Sequence, residues 1–117
     1  MLNEFKEKLD EIDIPYKFDG AVIFIQLPGG FGELEYKELP EDDDVLGLVG
    51  DPWHTHSSVE GGVSKLASLV KNIFLGKILL IKEVAPNNET RRTIEDSLED
   101  YLKWLPEGTK YEIYNKA

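Results

Sequence analysis

Between Ser57 and Leu75 the apolar residues Val59, Val63, Leu66, Val70 and Ile73 step by four, three, four and three positions, which stacks them on one face of an α-helix. Ala67, Leu69 and Phe74 widen that stripe. A stripe of this width has to be buried, so the rest of the chain must supply a surface to lie against it. Ser57 and Glu60 have the spacing of a capping box, and the helix is expected to begin there. Gly61 and Gly62 each weaken a helix interior by about 1 kcal/mol relative to alanine, so its first turn should be loose. Gly76 suits the left-handed residue that closes a helix.

The surface comes from short apolar runs on either side. Leu2, Phe5, Leu9 and Ile12 recur at helical spacing, and Pro15 ends that opening helix. Residues 16–18 and 21–27 flank Asp19-Gly20, a pair suited to a tight hairpin turn. The run AVIFIQL reads as a strand buried on both faces, central in a sheet. After Pro28-Gly29-Gly30, Leu34 and Tyr36 alternate with charged residues in a third strand. Residues 45–49 form a fourth, and residues 77–85 a fifth, broken by Pro86-Asn87-Asn88. Ile94, Leu98, Tyr101 and Leu105 predict a third helix, with Thr90 and Thr93 as candidate caps and an end near Pro106. Residues 111–114 close the chain as a strand. The expected fold is α+β in the order αββββαβαβ: one layer of mostly antiparallel sheet, about six strands, packed by about three helices. At 117 residues, with no internal repeat and no linker, residues 1–117 are read as a single domain.

Charge narrows the partners. The net charge of −10 repels phosphate backbones and anionic lipid, so nucleic acid and membrane surfaces are not expected. There is no cysteine, which fits a reducing cytosol. No apolar run approaches the roughly 20 residues of a membrane-spanning helix, and the expected setting is cytoplasmic.

The chemistry gathers at Trp53-His54-Thr55-His56, where both histidines of the chain stand. In extended backbone residues two apart share a side, so both imidazoles should face one way. They could form half of a metal site, with Asp51 and Glu60, or the cluster Asp42, Asp43 and Asp44, as undirected carboxylate donors. The plainer reading has the histidines hydrogen-bonding backbone at a strand-to-helix junction while Trp53 packs beneath. Ser57 and Ser58 adjoin the histidines but read as helix-start residues, and no G-x-S-x-G elbow is present. Pro28 to Gly32 lacks the Lys-Ser/Thr pair of a phosphate loop, and the acidic run lacks calcium-loop spacing. Glu95, Asp96, Glu99 and Asp100 add a second acidic ridge whose like charges cost a few tenths of a kcal/mol per pair. That ridge hints at a basic partner. Trp53 and Trp104 are both expected in the core.

The order strand, Trp53-His54-Thr55-His56, amphipathic helix ending Ile73-Phe74-Leu75-Gly76, then apolar strand 78–81 resembles a group of small uncharacterised bacterial proteins with a Trp-His-x-His-Phe motif. Ser57 stands where that group has phenylalanine, and the likeness covers residues 45–82. It implies a bacterial cytosolic setting and brings no activity, cofactor or catalytic residue with it. Two functions of different class follow. One is a small acidic interaction module, adaptor-like or immunity-protein-like, that binds a basic partner through Trp53, His54, His56, Asp42, Asp43 and Asp44, without cofactor or catalytic residue. The alternative is a zinc-dependent hydrolase with His54, His56, Asp51 and Glu60 as ligands.

Overall fold

Eight strands fall into two antiparallel sheets in a computed structural model that describes residues 2–116, the side chain of Asp42 excepted. The first sheet has the order β1 (Lys17–Phe18), β2 (Val22–Gln26), β3 (Glu33–Lys37), β4 (Val45–Leu48), β5 (His54–His56). The second places β6 (Leu79–Val84) between β7 (Thr90–Glu95) and β8 (Lys110–Ile113). Helices α1 (Leu2–Glu11), α2 (Ser57–Glu60), α3 (Val63–Phe74) and α4 (Leu98–Trp104) complete the fold. The α+β class is as expected. The single six-stranded layer is not, because two strands, β5 and β7, join those read from the pattern and the sheet divides.

Register sorts the first sheet into two faces. Ile23, Tyr36, Leu46 and Thr55 lie opposite one another across four strands, as do Ile25, Leu34 and Leu48 across three. All are buried, and Phe5 and Leu9 of α1 with Val63, Leu66, Val70 and Ile73 of α3 pack into the same core. Leu80 and Ile94 of the second sheet belong to that core too. The other face carries the row Lys17, Phe24, Glu35, Gly47, His54 and, one pleat along, Val22, Lys37, Val45, His56. Phe24 and Val22 are only half-buried there. The continuous apolar run of β2 therefore does not mark a strand covered on both sides; its buried residues simply alternate.

Two expected elements are redrawn. The helix predicted from Ser57 is split by Gly61, whose φ of 96° closes α2 after one turn, and α3 starts beyond Gly62. Val59 therefore leaves the stripe and stands 73% exposed, while Phe74 is also on the surface. Gly76 closes α3 as expected, with φ of 77°. Residues 90–95, read as the start of the third helix, pair as a hairpin with β6 around Pro86 to Glu89. Three β-branched residues, Thr90, Thr93 and Ile94, favour that strand. The cap of α4 is Ser97, whose hydroxyl accepts from the Asp100 amide. Trp104, expected in the core, is 85% exposed.

Side chains tie the second sheet to its surroundings. Asn115 donates to the carbonyls of Ile73 and Ile78, each at 2.7 Å, and accepts from the Leu80 amide at 2.8 Å, tying the end of the chain to the α3–β6 turn. Arg92 of β7 reaches Asp51 and the carbonyls of Phe31 and Val49 in the first sheet's loops. Among the described residues no helix is long and apolar enough to cross a membrane.

Candidate functional site

The β4–β5 hairpin brings the acidic turn and the histidine strand together. Val45 pairs with His56, so Asp43 and Asp44, just before Val45, face Ser57 and Ser58, just after His56. Asp44 and Ser57 lock this end: the Ser57 amide donates to the Asp44 carbonyl at 2.8 Å, and the Asp44 amide to the Ser57 hydroxyl at 3.0 Å. Ser57 thus serves the hairpin and not the expected capping box. Glu60, the other half of that box, accepts from the Thr55 hydroxyl at 2.7 Å.

The aspartates of the acidic turn part company. Asp44 is fully buried, with its carboxylate accepting from the Tyr36 hydroxyl, so it is not the surface contact expected of it. Burial pushes its carboxyl above the usual aspartate range, and the charge of Glu4 adds to this. Asp43 stays near the surface, held below the usual range first by the Ser58 hydroxyl, then by the Ser58 amide and His56, against some burial. Its Oδ2 lies 3.3 Å from His56 Nδ1, without hydrogen-bond alignment. The side chain of Asp42 lies outside the described residues.

His54 and His56 face the same way, as extended backbone requires, with ring centres 5.3 Å apart. His54 Nδ1 stands 3.0 Å from the Pro52 carbonyl, the backbone contact anticipated for this junction. Trp53 is half-buried against the core. The remaining metal donors of the sequence reading are otherwise engaged: Asp51 binds Arg92 at 2.7 Å and Glu60 binds Thr55. Among the described residues no three His, Asp or Glu side chains converge as a metal cage would require.

What the sequence reading placed elsewhere is the neighbouring surface. A cleft of about 300 Å³ beside β5 is lined by Trp53, His54, Glu60, Glu95 and Asp96. A second, of about 460 Å³ and lying over α4, is lined by Glu83, Arg91, Glu95, Asp96, Asp100 and Trp104, with Arg91 paired to Glu83. Glu95 and Asp96 belong to both. Two adjoining clefts thus lie between the tryptophans, and their carboxylates outnumber Arg91. Asp100 also pairs with Lys103 at 3.6 Å, largely in water, a contact that adds little stability. The acidic ridge was visible in the sequence; its meeting with His54 was not, because residues 90–95 read as helix.

Under the second cleft Glu83 accepts from Arg91 Nε at 3.0 Å and from the Tyr101 hydroxyl at 2.5 Å. Burial opposes ionisation of Glu83, but Arg91 and Tyr101 outweigh it and hold its carboxyl below the glutamate range. A lowered folded value stabilises the fold above the ordinary glutamate pKa, and this contribution is lost as pH falls through the folded value. Tyr101→Phe should cost roughly 1.5–3 kcal/mol at neutral pH, the worth of a hydrogen bond to a charged group. The gap to the native protein should close in acid. Urea unfolding at neutral and at acid pH checks this; a gap that stayed the same in acid would mean that Glu83 is neutral in the fold.

The chain matches no protein-family model, no curated protein and no solved structure.

Proposed function

We propose that this protein is an acidic interaction module whose groove between Trp53 and Trp104 receives a basic segment of a partner protein. One observation carries the reading: two clefts meet at Glu95 and Asp96, with a tryptophan lining each. Carboxylates along a groove attract a lysine- or arginine-bearing strand and steer its approach, an effect that weakens with salt. An 85% exposed tryptophan offers a face for a cation, worth about 0.5–1 kcal/mol at an open site and more when desolvated. Isolated exposed leucines need no explanation, whereas an exposed tryptophan beside a charged cleft fits the anchor of an interface. His54 and the half-buried Trp53 line one end, with His56 and Asp43 beyond it at the other end of β5; Asp44 does not take part, being buried.

An arginine-rich peptide titrated against tryptophan fluorescence tests the surface, and capture from lysate of a bacterial source tests the biology. Glu95→Lys with Asp96→Lys should weaken peptide binding at least tenfold at low salt, and Trp104→Ala should remove most of the fluorescence response. High salt should abolish capture of a stoichiometric basic protein. Binding indifferent to charge reversal, or no basic partner from any lysate tried, would remove this reading.

A further inference from the structure

We propose that His54 and His56 together form a binding site for one divalent ion of the copper, nickel and zinc class, with Asp43 as the carboxylate that orients His56. This goes beyond the groove reading and does not depend on it. Three observations support it.

The first is reach. A zinc–imidazole bond is about 2.0–2.1 Å, and a ring centre lies roughly 1.2 Å behind its nitrogen, so one ion can join two imidazoles only when their centres are within about 6.5 Å. The two rings stand 5.3 Å apart. A span of that size is compatible with the wide N–metal–N angle of a tetrahedral ion.

Second, each ring has its Nδ1 turned toward an oxygen and its Nε2 left over. His54 Nδ1 meets the Pro52 carbonyl at 3.0 Å, which places its proton there and leaves the lone pair on Nε2. His56 Nδ1 is shut off from solvent and faces the Asp43 carboxylate at 3.3 Å. A backbone carbonyl or a carboxylate on the far nitrogen is what fixes ring orientation and raises basicity in metal-ligating histidines. Here a carbonyl meets the His54 ring, and a carboxylate stands 3.3 Å from His56 Nδ1, out of hydrogen-bond alignment and within reach of a small rotation of that ring.

The third is mounting. The pair sits on β5, hydrogen-bonded to β4 in register, and Thr55 between them is anchored inward on Glu60. The edge strand gives the ion access, and Gly47, opposite His54, places no side chain beside that ring. No third protein donor converges on the pair among the described residues, so water or a partner's group would complete the coordination. Asp51 and Glu60, candidates by sequence, are not part of this set. Imidazole pairs favour copper over nickel and zinc in the usual order of affinities.

The test is calorimetric titration of untagged, full-length protein with copper(II), nickel(II) and zinc(II) salts in a non-chelating buffer near neutral pH. One ion per chain is expected, tightest for copper, with electron-spin resonance of the copper form showing nitrogen coupling. His54→Gln and His56→Gln should each weaken binding at least tenfold. The double substitution should cost scarcely more than either alone, because a chelating pair acts as a unit. Asp43→Asn should weaken binding about tenfold through orientation alone, the lower end of the effect of an outer-shell partner. His54→Ala and His56→Ala, checked for native circular dichroism, are second variants should a glutamine disturb β5. Absence of heat with all three metals would overturn the proposal. Binding that survives either histidine substitution would overturn it too, since the ion would then sit on surface carboxylates.

Discussion

Arg92→Ala should be among the most damaging single substitutions in this chain, costing about 3 kcal/mol or more, the range for breaking a mostly buried ion pair by removing one partner. The guanidinium donates from Nε to Asp51 Oδ2 at 2.7 Å, from Nη1 to the Phe31 carbonyl at 2.5 Å and from Nη2 to the Val49 carbonyl at 2.7 Å. Its own backbone amide meets the other oxygen of Asp51 at 3.2 Å. Alanine would leave Asp51, whose side chain is only 14% exposed, without its cation, and two carbonyls without donors. Lysine keeps the charge but cannot present a planar fork to three acceptors, so Arg92→Lys should recover only part of the loss. Gly32 offers an independent check. It has φ of 138°, and a Cβ there would stand 2.3 Å from Arg92 Nη1. An arginine tip can usually swing aside, but this one is held by three acceptors, so Gly32→Ala should also destabilise, and less so in an Arg92→Ala background. Urea unfolding of the native protein and the four variants measures these effects. If Arg92→Ala cost under about 1 kcal/mol, comparable to a surface ion pair, the two sheets would not be joined in this way.

Arg92 also marks where the sequence stopped being legible. Periodicity found α1, the α3 stripe and the first four strands, because one-sided burial against a single core leaves a repeat of 3.6 or 2 in the residues themselves. It failed at residues 90–95, where Ile94, Leu98, Tyr101 and Leu105 happen to keep helical spacing across a strand, a turn and a helix. A stronger local signal was present: Ser97 followed three residues later by Asp100 is an N-cap pattern, and Thr90, Thr93 and Ile94 are β-branched. That misreading hid the hairpin that delivers Arg92 to Asp51 and Glu95 to the histidine strand. At the candidate site, the shared direction of His54 and His56 followed from chain geometry alone. The burial of Asp44 did not, since three consecutive aspartates read as solvated loop, and only the register of β4 on β5 turns one of them inward. The exposure of Trp104 could not be read either, because helical spacing does not say which face of so short a helix meets a sheet.

Phe5→Ala should cost about 3–5 kcal/mol, the usual range for removing a fully buried phenylalanine, and the cost should depend on pH. Phe5 is fully buried and lies flat on Tyr36, ring centres 3.9 Å apart and planes within 3°. Beneath the pair the Tyr36 hydroxyl donates to Asp44, whose carboxyl burial pushes upward. A folded value above the unfolded one contributes stability below the ordinary aspartate pKa and loses it as pH rises through the folded value. Taking away the aromatic lid lets water reach the carboxyl and returns it toward ordinary behaviour. The contribution present in acid is then lost along with the packing, so Phe5→Ala should cost more in mild acid than at neutral pH. Glu83 pulls the stability of both proteins the other way, but it lies under α4, beyond the reach of this substitution, and cancels in the difference. Repeating the comparison with Asp44→Asn, which cannot ionise, should flatten the pH dependence while leaving the packing loss. Equal cost at both pH values with Asp44 intact would show that α1 does not shield this carboxyl, and a cost below about 1 kcal/mol would place Phe5 outside the core.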